Sequence, residues 1–438
     1  MMMGIVCSID LMDGKAVQLR QGKTHVLTAE ESPHELVKRF ARYGEVAVID
    51  LDAAMKTGKD NLALIESLCQ LADIRVGGGV RDLERATRLL KAGAQQLIIG
   101  TAATPEFLSQ LPRQRVSVAL DHLRSGEVVD HGWKAGTGET LHARAERLAP
   151  YCSGFLCTFV EDEGGLGGLP LESVAQLQKT LPHPITVAGG VKHTEDAVAA
   201  CLLGVDVQVG MALYTGLLDP VEVVVQSCHF DKYADGLIPT IVQDRYTREV
   251  LMLAFSSEAS LRHALTEGVG AYFSRSRKNL WVKGATSGHT QTLVQLRPDC
   301  DGDTLLFQVE QQEAACHRET PTCFSHLEGR FQMVHLFQKL QERRTHAPEG
   351  SYTRKLFQQP KLLQRKLMEE AFETTQATTQ EELIWELGDL LFFLATTAVA
   401  QGISWQRLES ELAGRMKPET AIRVTPPLKD KDLVPDAV

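Results

Sequence analysis

The tetrapeptide GGGV at 77–80 recurs as AGGV at 188–191, and this recurrence decides how the first half of the chain reads. Gly79 and Gly190 are 111 residues apart. IIGTA at 98–102 recurs as VGMA at 209–212, with Gly100 and Gly210 separated by 110 residues. Asp10 in SIDL recurs as Asp121 in ALDH, again 111 residues on. Around these landmarks eight apolar, β-rich runs alternate with amphipathic stretches: GIVCSID, EVAVIDLD, ADIRV, QQLIIG, RVSVALD, GFLCTF, PITVAGG and VDVQVG. Such alternation predicts a (β/α)8 barrel over residues 1–228, assembled from two half-barrels of four βα units. An open doubly wound sheet would alternate in the same way, but it has no reason to repeat at one offset.

Composition sets the wider frame. At about 150 residues per domain, 438 residues suggest roughly three domains. Hydrophobic residues at 43% and charged residues at 23% are ordinary for a globular chain, which excludes collagen-like and wholly disordered classes. Asp+Glu 56 against Lys+Arg 46 gives a net charge of -10. That argues against a general nucleic-acid or membrane-surface binder, which needs a basic face, and leaves room for local phosphate pockets. No run of 18 apolar residues occurs, so no membrane-spanning helix is expected. The start MMMGIVCSIDL has no basic n-region and reads as strand, so no signal peptide is expected. Nine scattered cysteines, an odd number, fit a reducing, cytoplasmic compartment.

The pattern changes near residue 230. DGLIPTIVQDRYTREVLMLAF reads as two strands around a turn, SSEASLRHALTEG as a helix, and AYFSRS, LWVKGA, QTLVQLRPD and TLLFQVEQ as strands. This predicts a small α+β domain over 232–325. SHLEGRFQMVH reads as a linker, and 335–418 as an all-α four-helix unit. The Pro- and charge-rich tail 419–438 reads as flexible.

Each region holds candidate chemistry. In a barrel, catalytic groups lie at the C-terminal ends of strands, and Asp10 and Asp121 hold that place on strands 1 and 5. Two carboxylates facing one substrate suit a general acid and a general base, although a lone Asp there can simply cap a turn. Gly78 and Gly79 after strand 3, with Gly100 and Thr101 after strand 4, offer backbone N–H groups. Gly189, Gly190 and Gly210 after strands 7 and 8 do the same. Two matched sites of this kind suit a ligand with a phosphate at each end.

In RPDCDGDTLLF, Asp299, Asp301 and Asp303 alternate with Cys300, and ACHRETPTC adds Cys316 and Cys323. Thiolates select Zn²⁺ and carboxylates suit Mg²⁺. If the segment is extended, Cys300 points away from its Asp neighbours, so one segment can serve two sites. Three cysteines leave a fourth position for water, as in a catalytic zinc site; a structural zinc with His317 is the alternative. In the helical region, Glu369, Glu370 and Glu373 precede Glu386 and Asp389. Spacings of three and four put acids on one helix face. Two such helices would form a Mg²⁺ cage for a polyphosphate; a solvated acidic face is the plain alternative, weakened by the apolar WELGDLLFFL around Glu386 and Asp389.

Three resemblances follow from these motifs. SIDLMDGKAVQLRQG, VIDLDAAMKTGKDN, VGGGVRD, IIGTAA, ALD, GW, AGGV and VGMALY resemble the isomerase of histidine biosynthesis that acts on phosphoribosyl-formimino-AICAR phosphate. That resemblance implies an Amadori rearrangement of a substrate with two phosphates. Asp10 would be the base at the sugar C2, Asp121 the acid that opens the ribose ring, Thr158 the strand-6 threonine and Trp133 the mobile-loop tryptophan. Arg81, in VGGGVRD, would join the phosphate-binding set. The chain departs from the family pattern at Glu163-Gly164-Gly165, where Asp-Gly-Thr is usual, and at Met211, where Arg is common.

YFSRSRKNLWVKGATSGH, DCDGD and CHRETPTC resemble phosphoribosyl-AMP cyclohydrolase. This implies a zinc held by Cys316 and Cys323 of one subunit and Cys300 of another, hence a homodimer. It also implies Mg²⁺ on Asp299, Asp301 and Asp303, and phosphate contacts from Arg275, Arg277 and Lys283. The segment 335–416, with SYTRKLF and Lys366, resembles phosphoribosyl-ATP pyrophosphohydrolase, implying an ATP-derived substrate and Mg²⁺ on Glu369, Glu370, Glu373, Glu386 and Asp389. Together they imply a multifunctional enzyme of successive steps acting on small phosphorylated nucleotides, with no nucleic-acid or membrane partner. The alternative is a bifunctional hydrolase whose barrel is a scaffold.

Overall fold

The computed structural model describes residues 4–130, 132–133, 135–324 and 331–415. The expected tail at 419–438 and residues 325–330 of the expected linker lie outside the described residues; the linker's last three residues, Met333 to His335, instead open a helix. The eight apolar runs form β1 (Ile5–Met12), β2 (Val46–Asp50), β3 (Ile74–Gly77), β4 (Gln96–Ile99), β5 (Val116–His122), β6 (Gly154–Phe159), β7 (Ile185–Ala188) and β8 (Asp206–Val209). They pair in parallel in chain order, β8 closes on β1, and β5 joins β6 in the middle of the ring. The barrel is therefore closed, and the open-sheet alternative fails. Ile98, Leu156 and Ala188, with Ile49 and Ala119, fill its interior. Deeper, near the N-terminal ends of the strands, Arg75 pairs with Glu45 and with Asp206 (2.7 Å).

The strands carrying the two candidate acids each continue into a hairpin. Lys15–Arg20 pairs with β1 and with Thr24–Thr28. Glu127–Asp130 pairs with β5 and with Ala135–Thr140. The eight-run reading missed both hairpins. The first was visible in MDGKAV: Asp13 (φ 52°) and Gly14 (φ 73°) make a two-residue turn in the left-handed region, where Asp-Gly is favoured.

The contacts divide the chain into two compact units, a partition that does not follow the three expected domains. One comprises residues through Gln243, Met252–Glu313 and the chain from Ser410; the other comprises Asp244–Leu251 and Ala314–Glu409. The barrel is joined by a four-stranded sheet of β9 (Ile238–Asp244), β10 (Val250–Ser256), β13 (Gln291–Pro298) and β14 (Leu305–Gln311), in the order β10-β9-β14-β13, all of it in the first unit except Asp244, Val250 and Leu251. The hairpin β11 (Ala271–Ser274) and β12 (Asn279–Val282) and helix α1 (Glu258–Glu267) complete it. Ser257 caps α1, and Gly268 ends it at φ 69°. This sheet rests on the N-terminal end of the barrel. Gln295 Nε2 donates to the Gly44 carbonyl at 3.0 Å, Arg297 pairs with Asp73, and Arg262 Nε meets Glu222 Oε1 at 2.6 Å. The barrel mouth thus faces away from the sheet.

The second unit contains α2 (Met333–His346), α3 (Tyr352–Gln358), α4 (Pro360–Gln376), α5 (Gln380–Ala400) and the start of α6 (Trp405–Arg415). The helical reading holds, with five described helices where four were expected. Pro360 has no N–H and opens α4 at its first turn, which separates α3 from α4. Phe337, Leu340, Ala395, Ala398 and Val399 form one core, and Leu356, Leu363 and Phe393 another. By length and composition α5 could cross a membrane, although it holds no uninterrupted run of 18 apolar residues. Its buried face, with Phe393, Ala395, Ala398 and Val399, packs in the bundle, and it carries Glu381, Glu382, Glu386 and Asp389.

Candidate functional site

The barrel mouth gathers carboxylates. The Ser8 hydroxyl donates to Asp10 Oδ1 at 3.2 Å, and burial pushes the Asp10 carboxyl up to about 6 against that bond. Across the mouth Trp133 Nε1 donates to Asp121 Oδ2 at 2.9 Å. The β5–β6 register sets Thr158 beside Asp121, and its hydroxyl bonds the same carboxyl. Burial raises the Asp121 carboxyl above the usual range, opposed by Thr158 and Trp133.

A third acid joins them. Glu163, noted in the sequence only as a departure, is pushed up to about 7 by burial and then by the charges of Asp10 and Asp121. Its carbonyl accepts from Gln21 N at 3.3 Å, which ties its loop to the first hairpin. The residue 111 positions earlier, Asp52, has no such freedom. Asp13 N, Asn61 Nδ2 and the Thr57 hydroxyl all donate to it, at 2.6, 3.0 and 2.6 Å. The signal for Glu163 was present in the 111-residue offset, but only the tertiary structure shows that, among the described residues, none donates to its carboxylate as three do to that of Asp52.

The glycine pairs match across the repeat. Gly78 and Gly79 have φ 85° and 69°, and Gly189 and Gly190 have 95° and 86°. A Cβ on Gly78 would lie 2.3 Å from the Asp50 carbonyl oxygen, and one on Gly189 2.6 Å from that of Phe159. Both pairs therefore pass close over the preceding odd-even neighbour strand end, where a side chain has no room. Another expected phosphate contact, Arg81, is already engaged. Arg81 donates to the Ala53 and Ala54 carbonyls at 2.8 and 2.7 Å. Buried Gln18 covers Gly210, whose Cβ would come 2.7 Å from Gln18 Oε1. Gly100 and Thr101 follow β4 at the mouth side, with Thr101 exposed.

The D-C-D-G-D segment is not extended, which corrects the expected alternation. Asp299 N donates to the Thr304 carbonyl at 2.9 Å, Gly302 adopts φ 69°, and the segment turns between β13 and β14. The carboxylates nevertheless converge: oxygens of Asp299, Asp301 and Asp303 lie within 4.8 Å of one another. Cys300 does not point cleanly away; its Sγ is 3.9 Å from Asp301 Oδ1. Cys300 belongs to the first unit, Cys316 and Cys323 to the second. The Arg318 N–H, the Thr320 hydroxyl and the neighbouring Cys323 hold the Cys316 thiol below its usual range. Cys323 N donates to the Leu251 carbonyl at 2.8 Å, and Thr322 Oγ1 to that of Val250 at 2.8 Å. His317 Nδ1 lies 3.9 Å from Cys316 Sγ. Of the expected phosphate contacts, Arg275 stacks over Phe255 at 3.7 Å, the buried Lys283 donates to the His289 carbonyl at 3.2 Å, and the Arg277 backbone N–H donates to Ser274 Oγ at 3.3 Å.

The α4–α5 acids meet as two groups that share Glu370: Glu369, Glu370 and Glu373, and Glu370, Glu386 and Asp389. Lys366 Nζ reaches Glu369 at 2.9 Å and the buried Glu370 at 2.7 Å. Burial, then Glu370 and Glu386, raises the Glu373 carboxyl. Hard carboxylate oxygens converging in this way fit Mg²⁺, and a paired-cysteine turn with a lowered thiol fits Zn²⁺.

The fold and its sites define a multidomain chain: an acid-bearing (β/α)8 barrel, a cysteine- and aspartate-bearing sheet and an acidic helical hairpin. Family models match in that order, for a histidine biosynthesis protein at 4–219, phosphoribosyl-AMP cyclohydrolase at 252–325 and phosphoribosyl-ATP pyrophosphohydrolase at 334–416. The histidine biosynthesis bifunctional protein his7 of Schizosaccharomyces pombe is 32% identical over 385 residues, 85% of this chain and 88% of that one. The chain belongs to this family of multidomain histidine biosynthesis proteins. The bifunctional protein HisIE of Thermotoga maritima is 37% identical over 41% of this chain and 98% of its own length. The trifunctional protein of Saccharomyces cerevisiae is 45% identical over 41% of this chain, and the match spans only 22% of that protein.

Proposed function

We propose that this chain catalyses consecutive steps of histidine biosynthesis. Its helical unit would hydrolyse phosphoribosyl-ATP to phosphoribosyl-AMP and pyrophosphate. Its sheet domain would open the adenine ring of phosphoribosyl-AMP, and its barrel would isomerise the resulting aminoaldose. The observation that carries the reading is the convergence of Glu370 with Glu386 and Asp389 from two helices onto one point. Like charges this close repel unless a cation lies between them.

In the helical unit, Glu369, Glu370, Glu373, Glu386 and Asp389 would hold Mg²⁺, which when bound supplies charge neutralisation at the α–β anhydride. In the sheet domain Cys316 and Cys323, with Cys300 from a second copy of the chain, would hold Zn²⁺, which when bound lowers the pKa of water for attack at C6. Asp299, Asp301 and Asp303 would hold Mg²⁺ near the nucleotide phosphate. In the barrel Asp10 would take the proton from the sugar C2 and Asp121 would protonate the ring oxygen. Trp133 and Thr158 hold Asp121 in place for this. The glycine pairs at 78–79 and 189–190, with Gly100, Thr101 and Gly210, would face the two phosphates. A cytoplasmic homodimer acting on small nucleotides, without nucleic acid or membrane, completes the proposal.

The second reading keeps both hydrolases and makes the barrel a scaffold. Engagement of Arg81 by carbonyls, coverage of Gly210 by Gln18, Met211 in place of Arg, and the bifunctional name of the S. pombe relative favour it. Complementation of strains each lacking one of the three activities decides between them. Growth of all three supports the first reading. Growth of only the two hydrolase-deficient strains supports the second, and failure of either of those two sinks both.

A further inference from the structure

We propose that Lys232, on the segment that leaves the barrel, is a tethered cation of the aspartate turn that a divalent ion must displace. The proposal rests on reading Asp299, Asp301 and Asp303 as a divalent-cation site. Their oxygens lie within 4.8 Å of one another, and the Lys232 ammonium sits among them. Its Nζ is 2.6 Å from Asp301 Oδ2, 3.0 Å from Asp303 Oδ2 and 3.4 Å from the Asp301 carbonyl.

This placement is built by the backbone. After the last barrel helix, Pro220–Ser227, the chain makes a single tight turn at Phe230–Lys232, anchored by the buried Phe230 ring. His229 N donates to the Gly302 carbonyl at 2.8 Å, so the segment is bonded to the aspartate turn itself. Gly302 permits this approach: a Cβ there would lie 3.3 Å from both His229 Cδ2 and the Ser227 carbonyl oxygen. Only two residues separate the His229 bond from Lys232, which fixes the reach of its side chain.

The consequence is competition. An ammonium bonded to carboxylates and a divalent ion use the same oxygens. Mg²⁺ requires near-octahedral oxygens at about 2.0–2.1 Å, a geometry that an Nζ at hydrogen-bond distance blocks. Loading the turn therefore releases Lys232, and with it one of the bonds between the barrel's exit segment and the sheet domain. Metal occupancy of the sheet domain is thereby linked to how firmly the barrel's last turn is held.

The test labels lysines of the full-length wild-type chain with an acetylating reagent and reads Lys232 by mass spectrometry, with EDTA or with saturating Mg²⁺. Acetylation of Lys232 is expected to rise at least about 5-fold with Mg²⁺. In Asp301→Asn/Asp303→Asn it is expected to be fast in both conditions. Calorimetry of Mg²⁺ binding supplies the second readout: the heat that Asp301→Asn/Asp303→Asn lacks should saturate at about 10-fold lower Mg²⁺ in Lys232→Met than in wild type. If the wild type and the double Asn variant bind Mg²⁺ identically, the cation site and the proposal fall together. If the site binds Mg²⁺ but Lys232 labelling and the Lys232→Met affinity are unchanged, the proposal alone falls.

Discussion

Arg75 and Thr186 stand 111 positions apart and meet inside the barrel, Arg75 Nη1 donating to Thr186 Oγ1 at 2.7 Å. The offset that relates Asp10 to Asp121 thus also relates two residues in direct contact near the closed end. Arg75 at the same time holds Glu45 and Asp206. Arg75→Met leaves two carboxylates facing each other without a cation, and should cost about 3–5 kcal/mol. Chemical denaturation of the full chain reads this, and a loss below about 1 kcal/mol would show that the network is dispensable.

The acids of the mouth predict a pH dependence of stability. The folded carboxyls of Asp10 and Glu163 are raised from 3.8 to about 6 and from 4.5 to about 7. A raised folded value favours the protonated fold, so their contribution is present below the unfolded value and is lost as pH rises through the folded one. Asp10→Asn and Glu163→Gln should therefore gain melting temperature relative to wild type as pH rises from about 4 to 7. Thermal unfolding across that range tests it; a difference that is flat or falls with pH contradicts the stated burial.

Of the two hydrolytic reactions, only ring opening should depend on Cys316. Cys316→Ser is expected to abolish it while pyrophosphate release persists, because the thiol turn and the α4–α5 acids are separate clusters. A Cys316→Ser protein that opens the ring at the wild-type rate would refute the assignment.

Pyrophosphate release should collapse when the shared acid is neutralised. Glu370→Gln or Asp389→Asn is expected to cost at least about 10²-fold in rate, the scale of one lost catalytic electrostatic contact. A phosphate-coupled assay measures it, and retention of activity in both variants removes the helical hairpin from the mechanism.

Isomerisation is the boldest expectation. Asp10→Asn and Asp121→Asn should each leave the fold intact and remove about 10²–10⁴-fold of turnover. The departures around Glu163 and at Met211 should raise KM more than they lower kcat, since they bear on binding. Purified wild type with no turnover above the Asp10→Asn/Asp121→Asn protein would make the barrel a scaffold.

Sequence by itself determined the eight strands, the closed barrel and the helical C-terminal region. Continuous apolar, β-rich runs, a fixed repeat and helical spacing of apolar residues are local consequences of burial, and local signals survive in one dimension. It also marked Asp10, Asp121, the aspartate triplet and the α4–α5 acids, because spacing along a strand or helix dictates which side chains share a face. Only the tertiary structure decided that the D-C-D-G-D segment turns, since Gly302 at positive φ and the Asp299–Thr304 bond overrule its alternation. The same holds for Glu163, whose carboxyl is raised by burial and by Asp10 and Asp121 across the mouth, whereas its repeat mate Asp52 accepts from Asp13, Thr57 and Asn61. Lys232 on the aspartates is the furthest from a sequence signal: Lys232 and Asp301 are 69 residues apart, and their contact exists because the barrel's exit and the sheet's turn fold to one place.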